Sequence, residues 1–165
     1  MPMVDALLPE FDHEMSTTRK LLERVPEDRF AWQPHVKSFS LGALAAHVAT
    51  LPAWGEATLA RSAFEVEGNQ SPVSPASRAE LIATFDKNVA IARAALTGKT
   101  DAELLAPWTL TRRGKTIFSM PKAAVLRSFV LSHLIHHRGQ LSVYLRQLDV
   151  SVPSIYGPSA DEPAF

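Results

Sequence analysis

The sequence contains no cysteine in 165 residues, and this absence excludes disulfide bonds, thiolate metal sites and cysteine nucleophiles. An excess of charge of either sign is also missing, because 17 basic side chains balance 17 acidic ones. Binding to the phosphates of a nucleic acid or an anionic membrane needs many Lys and Arg side chains on one face. The longest basic cluster is the short segment 112–115, so we predict no nucleic-acid partner and no membrane partner.

Long hydrophobic runs are absent too, although 46% of the residues are hydrophobic. No apolar segment approaches the length that spans a bilayer. The opening stretch, MPMVDALLPE, lacks the basic region and the apolar core of a signal peptide. We therefore expect a cytoplasmic enzyme or binding protein. A chain of this length is most simply one domain, here residues 1–165, with a sizeable core.

What the sequence does contain is helical periodicity in four segments. Apolar side chains recur there at spacings of three and four, which is typical of amphipathic helices. The predicted helices cover residues 4–25, 41–64, 77–96 and 121–148. Ser40 is expected to cap the second helix and Pro52 to kink it. Ser77 and Glu80 are expected to form a capping box at the start of the third helix.

The segments between these helices contain Pro or Gly, which indicates long loops at residues 26–39 and 66–76 and an irregular tail from about residue 149. One connection differs, because WTLTRRGKTIFSM alternates around Arg113 and Gly114 and predicts a short hairpin before the last helix. The fold class that these patterns predict is all-α, a four-helix bundle with long connections and that one hairpin.

The stretch HLIHHRGQL carries the strongest functional signal, because it places three histidines within five positions of the last helix. His133 and His137 are one turn apart and share a face with apolar residues of that helix, which predicts that both rings point into the core. His47 lies on the apolar face of the second helix. Three neutral imidazoles that leave a fourth position to water form the ligand set of an open, catalytic-type divalent-metal site.

The same residues also fit a second interpretation, in which the histidines are core residues whose ring nitrogens are satisfied by hydrogen bonds. Spacing alone does not separate the two. His136, at spacing three from His133, is an alternative ligand at the edge of the apolar face. His13 lies opposite the apolar stripe of the first helix and is predicted to be a surface residue. His35 follows a proline in a loop and is given no role.

The motif HLIHHRGQ, which begins at His133, resembles the HxxxHRGQ signature of the DinB-like (DinB/YfiT) superfamily of metal-binding four-helix bundles. The segment VPEDRFAWQPHVKSFSLGALAAHVATLPAW resembles the family's stretch of Pro, Trp and Ser that leads to a histidine in the second helix, and VPSIYGPSADE resembles the tail of many members. The resemblance covers nearly the whole chain. It implies that His47, His133 and His137 bind a divalent metal, usually zinc or nickel, and that the protein is a homodimer.

Relatives in that superfamily include hydrolases and thiol-dependent isomerases and transferases that use mycothiol or bacillithiol. The resemblance therefore implies a divalent-metal-dependent enzyme that performs thiol transfer or hydrolysis on a small-molecule substrate, with a low-molecular-weight thiol as a candidate cofactor. Two alternatives stay open. One is a non-catalytic metal- or ligand-binding stress-response protein, and the other is a helical interaction module with a histidine-stabilised core.

Three further side chains are predicted to line the pocket because each lies seven residues from a candidate ligand, two turns along the same helix face. They are Trp54, Gln140 and Tyr144, and a core position is the alternative for Trp54 and Tyr144. Arg138 lies about 100° from His137 around the helix and is expected to form a structural ion pair. The sequence identifies no general base.

The opposite side of the last helix carries small residues around Ile135. They are Ser128, Ser132, Gly139 and Ser142. Such a surface permits close approach of another helix, which is either part of a partner chain in a homodimer or a neighbour within the bundle.

Overall fold

The computed structural model describes residues 1–68 and 72–163, so the predicted loop at 66–76 and the end of the tail lie partly outside the described residues. The first half forms α1 (Met3–Leu22), a 3-10 turn (Glu27–Arg29), α2 (Leu41–Thr50) and α3 (Ala53–Ala60). The second half forms α4 (Arg78–Leu96), α5 (Asp101–Leu105), α6 (Lys122–Val125), a π-helical turn (Leu126–Leu131) and α7 (Ser132–Gln147).

Four of these helices surround the main hydrophobic core. Both α1 and α2 contact α4 and α7, so the core lies between the two pairs. Leu21, Leu44, Phe85 and Leu134 are core residues with 1% exposure or less, and burial of each such side chain is worth about 1.5–3 kcal/mol. None of the helices in the described part of the chain is long and apolar enough to cross a membrane.

The chain is mostly helical, as predicted, but a pure all-α bundle is not confirmed, because a small three-stranded sheet packs beside the helices. β1 (Ala63–Glu65) pairs parallel with β2 (Pro107–Arg112), and β2 pairs antiparallel with β3 (Lys115–Pro121). The antiparallel pair is the predicted hairpin, and its turn residues Arg113 and Gly114 have φ angles of 51° and 70°. Two positive φ angles give a turn whose twist matches that of the flanking strands.

The predicted second helix, 41–64, is two helices followed by a strand. Pro52 has no amide hydrogen and its ring clashes with the preceding turn, which separates α2 from α3. The expected kink at Pro52 is therefore a break. The predicted end is wrong as well, because Arg61 is extended, with a ψ angle of 167°, and stops α3 at Ala60. The three residues of β1 are too few to show the alternation that predicts a strand.

The two serines predicted as N-caps occupy that position. The hydroxyl of Ser40 accepts a hydrogen bond from the amide of Ala43 at 3.2 Å, and that of Ser77 accepts one from the amide of Glu80 at 3.1 Å. Each bond satisfies an amide that the first turn of a helix leaves free. The predicted capping box is incomplete, because the Glu80 carboxylate accepts from the amide of Ala76 at 2.7 Å instead of returning to Ser77.

A second apolar cluster lies beneath the sheet and joins it to the helices. It consists of Trp108, Leu110 and Val125. Trp108 is fully buried, and its indole N–H donates to the carbonyl oxygen of Ala57 in α3 at 3.2 Å. Partly buried aromatic residues, among them Trp54 and Phe129, pack against this cluster. The sheet therefore places an aromatic surface next to the start of α7.

The π-helical turn decides which residues of the last helix face the core. The buried positions include one stripe of residues, Leu126, Val130, Leu134, Arg138, Leu141 and Leu145. A π turn holds one more residue than an α turn, so successive spacings of four stay on one face across it. His133 and His137 each precede a buried residue and are partly exposed. The prediction that both rings point into the core is wrong, since they lie at the edge of the buried face.

Candidate metal centre

The three candidate histidines come from two helices that pack against each other. His47 lies in the last turn of α2, and His133 and His137 lie in the first two turns of α7. Leu44 on α2 and Leu134 on α7 are each almost fully buried in the main core. The apolar contact between the two helices therefore brings the three imidazole rings together at its edge.

The rings meet closely enough for their nitrogens to share one ligand. The Nε2 atoms of His47 and His133 are 3.3 Å apart. The ring centroid of His137 lies 4.5 Å from that of His47 and 4.8 Å from that of His133. One nitrogen from each residue lies within 4.8 Å of the other two, and all three side chains are partly exposed. This three-His cluster (His47, His133 and His137) can hold a metal ion.

The closest distance in the cluster agrees with tetrahedral coordination. Two ligands bound tetrahedrally with metal–nitrogen bonds of about 2.0–2.1 Å have their nitrogens about 3.3 Å apart. The Nε2 atoms of His47 and His133 have this separation, 3.3 Å. A hydrogen bond between the two rings is the alternative at this distance. Shared coordination also accounts for the third ring, because a nitrogen of His137 lies within 4.8 Å of the other two.

Gln140 orients the ring of His137 from outside the cluster. The Oε1 atom of Gln140 lies 2.8 Å from Nδ1 of His137, and its Nε2 atom lies 3.2 Å from Nε2 of His136. An amide oxygen accepts and an amide nitrogen donates, so His137 carries its hydrogen on Nδ1 and keeps a free lone pair on Nε2. Holding the second ring nitrogen in this way fixes both the tautomer and the orientation of a metal-binding histidine.

All three histidines of the cluster favour the neutral form. Burial, followed by the proximity of His137 and His133, lowers the pKa of His47 from 6.5 to about 4. Burial is also the largest cause of the lowered pKa of His133 and of His137. An imidazole with a lowered pKa is neutral at pH 7, and a metal binds the neutral ring. The lowered pKa values therefore keep the three rings in the neutral form that binds a cation.

Two aromatic residues that the sequence analysis missed lie beside the cluster. The ring centroid of Phe39 is 6.0 Å from that of His47, and that of Phe129 is 5.8 Å from that of His133. Phe129 precedes His133 by four residues, so the spacing argument would have found it if extended backward along the helix. Phe39 lies in the loop before α2, where no periodic signal exists. Both side chains are partly exposed and give the cluster apolar surroundings.

The three predicted pocket residues differ in how near they lie to the cluster. Gln140 contacts His137 directly, as described. Trp54 packs against Phe129, with ring centroids 5.2 Å apart, and so reaches the cluster through another ring. The hydroxyl of Tyr144 donates to the carbonyl oxygen of Phe39 at 3.3 Å. Trp54 and Tyr144 therefore support the two aromatic neighbours of the cluster.

The other three histidines lie outside the cluster. His13 is exposed, which confirms its prediction as a surface residue. His35 is exposed too, and its Nδ1 accepts a hydrogen bond from the amide of Lys37 at 3.2 Å. His136 is exposed beside His137, and it contacts Gln140 instead of joining the three ring nitrogens that converge.

The expected ion pair of Arg138 is confirmed, because its Nη1 atom lies 2.7 Å from a carboxylate oxygen of Glu14 on α1.

On the side of α7 opposite the histidines, Ser132 and Gly139 are exposed. Among the described residues, no atom outside the helix lies within 4 Å of the position that a Cβ of Gly139 would take. No helix of the described chain covers that point of the surface, and a homodimer contact there stays a prediction.

The chain is similar to known proteins in both sequence and fold. A family model, that of the DinB family, matches residues 1–164. The chain is 28% identical over 160 residues to YrdA from Bacillus subtilis (strain 168), which covers 96% of this chain and 91% of that protein. A DinB-like protein from Bacillus cereus ATCC 10987 is similar in structure, with a TM-score of 0.70 at 23% identity over 92% of this chain and 97% of that one. YjoA, a DinB-like protein from Bacillus subtilis, has a TM-score of 0.69 at 19% identity over 90% and 95%.

For the metal-free protein, we expect the free energy of unfolding to fall as the pH is lowered from about 6.5 toward 4. In this range the unfolded chain binds a proton at His47, whose ordinary pKa is 6.5, while the folded chain, with a pKa of about 4, does not. Acid therefore favours the unfolded state. Urea unfolding at a series of pH values, with a chelator present, measures the effect.

A His47→Gln variant should show a shallower pH dependence of stability than the natural chain. The matched control is His13→Gln, which replaces an exposed histidine and should leave the slope unchanged. Equal slopes in the natural chain and in His47→Gln would contradict the lowered pKa of His47.

Proposed function

Since the chain belongs to the DinB family, we propose that His47, His133 and His137 bind one divalent cation, zinc or nickel, and that this centre is the active site of a metal-dependent enzyme. Its reaction is thiol transfer or hydrolysis on a small molecule. The observation that carries the proposal is the convergence of three ring nitrogens within 4.8 Å of one another. Their neutral state and the bond from Gln140 support it.

The chemistry of the donor set fits this assignment. A divalent cation bound by three neutral imidazoles lowers the pKa of a water or thiol at its fourth position. The chain itself supplies the three rings, fixes His137 through Gln140, and places the rings of Phe39 and Phe129 beside the cluster. Because the sequence contains no cysteine, a reacting thiol has to come from another molecule.

The donor set suits both reactions. A divalent cation held by three histidines would lower the pKa of a bound water to about 7 without a carboxylate in the cluster. A thiol, whose ordinary pKa is about 8.5, would lose its proton at the same position. The response to an added thiol therefore separates thiol transfer from hydrolysis.

A second function is non-catalytic binding of a metal or ligand in a stress response. Three converging ring nitrogens are enough to bind a cation, and binding needs no turnover. Metal content does not separate this function from the enzyme, whereas the response to a thiol does.

Metal content is the first test of the proposal. Protein made without a histidine tag should contain about one equivalent of a divalent metal by mass spectrometry. His137→Ala should lose most of it, because two ligands of a tetrahedral site remain. His13→Ala, a matched exposed histidine, should keep it. Retention in His137→Ala, or loss in His136→Ala but not in His137→Ala, would contradict the assigned ligands.

Cobalt-substituted protein separates thiol chemistry from the other functions. We expect N-acetylcysteine to bind cobalt as a thiolate and to produce an intense near-ultraviolet sulfur-to-cobalt charge-transfer band. The chain contains no cysteine, so such a band can come only from the added thiol. N-acetylserine, which carries a hydroxyl in place of the thiol, is the matched control and should produce none. Hydrolysis of p-nitrophenyl acetate without any thiol band would contradict thiol transfer and favour hydrolysis. Silence in both assays would favour non-catalytic binding.

A further inference from the structure

A polar network lies buried between α7 and α1, next to the histidines in sequence but on another side of the helix. The Arg138 side chain is 1% exposed, and its Nη1 atom lies 2.7 Å from Oε2 of Glu14. The same nitrogen is 3.2 Å from both the backbone carbonyl of Glu14 and the hydroxyl of Thr18. Its two hydrogens are directed at those acceptors, so Oε2 of Glu14 is close to the charge of Arg138 without receiving a hydrogen bond.

Tyr156 completes this network from the C-terminal tail. Its hydroxyl accepts a hydrogen bond from Nη2 of Arg138 at 2.7 Å and donates one to Oε1 of Glu14 at 2.9 Å. The guanidinium of Arg138 also lies over the ring of Tyr156, 5.1 Å from its centroid. The hydroxyl of Tyr156 therefore contacts both members of the ion pair and fixes the orientation of one relative to the other.

The tail keeps Tyr156 in place although it contains no helix or strand over residues 149–163. Asp161 pairs with Arg146 on α7, and Glu162 pairs with Arg24 just beyond α1. The tail is therefore tied to both of the helices that the buried ion pair connects.

Stability alone does not account for this network. The cost of removing two charges from water often exceeds the gain from their attraction, so a buried ion pair is a weak stabiliser. It does fix geometry, because a guanidinium has hydrogens in defined directions. The leucines on the same stripe of α7 have no directional contact and tolerate small rotations of the helix.

The rotation of α7 matters because the cluster depends on it. The π-helical turn Leu126–Leu131 separates α7 from the part of the helix that packs under the sheet, so that packing does not by itself set the angle of the turns that follow. A rotation of about 10° moves a side-chain tip, about 5–6 Å from the helix axis, by about 1 Å. Metal–ligand distances tolerate only about 0.2 Å.

We propose that the Arg138–Glu14 ion pair, completed by the hydroxyl of Tyr156, sets the rotation of α7 and thereby positions His133 and His137 for the metal. Arg138 and Tyr156 are positioning residues, since neither touches the cluster. The proposal rests on the metal centre proposed above. It makes the C-terminal tail a part of that centre's support, although the tail contributes no ligand.

The test compares the natural chain with Tyr156→Phe, which removes one hydroxyl and keeps the ring. Tyr156 is 61% exposed, so this variant is expected to fold, and circular dichroism checks that it does. Cobalt(II) is titrated into each metal-free protein while the visible d–d bands are followed. We expect Tyr156→Phe to bind cobalt about tenfold more weakly and its bands to change in position and intensity, because these report the ligand geometry.

The matched control is Arg93→Gln, which removes an exposed ion pair between α4 and Asp12 on α1 and leaves the tail contacts and the Arg138 network intact. Its cobalt affinity and bands should equal those of the natural chain. A Tyr156→Phe variant with lower thermal stability but unchanged cobalt affinity and bands would overturn the proposal and leave Tyr156 a merely structural role. Equal changes in both variants would also overturn it, because the effect would then come from the loss of any polar contact to α1. Failure of the natural chain to bind cobalt would instead overturn the metal centre itself.

Discussion

The contact between α2 and α7 is the constraint on which the account of this protein depends, because it brings together imidazoles that lie 86 residues apart in sequence, at an Nε2–Nε2 distance of 3.3 Å. Ring nitrogens gathered in a partly buried place lose hydration, and lone pairs left without a partner cost free energy. Protonation would give them hydrogens, but the lowered pKa of His47 opposes it. A cation satisfies all three lone pairs at once.

The sequence predicted the candidate ligands better than their surroundings. His133 and His137 follow from their spacing within one helix, and His47 follows from its place in an apolar stripe, because both are local patterns. The degree of burial did not follow. A fixed advance of 100° per residue assumes an α-helix throughout, and the π-helical turn Leu126–Leu131 interrupts it. The histidines therefore lie at the edge of the core, where a small molecule can reach them.

Features that depend on pairing between distant segments were outside the reach of local patterns. β1 is a strand because Ala63 pairs with Thr109 in β2, and its own three residues carry no strand signal. The ion pair of Arg138 was expected, but its partner Glu14 lies 124 residues away on α1 and could not be named. Phe39 approaches His47 from a loop whose path the sequence does not specify. Each of these features depends on a contact between segments that are distant in sequence, and local periodicity carries no information about such contacts.

The most direct measurement of the central claim is X-ray absorption at the zinc edge of zinc-loaded protein, for the natural chain and for His47→Ala. The account predicts three imidazole nitrogens and one further light atom at about 2.0–2.1 Å from the metal. His47→Ala should show one imidazole fewer. A natural chain without imidazole scattering, or a His47→Ala spectrum identical to the natural one, would contradict a metal centre built from these three histidines.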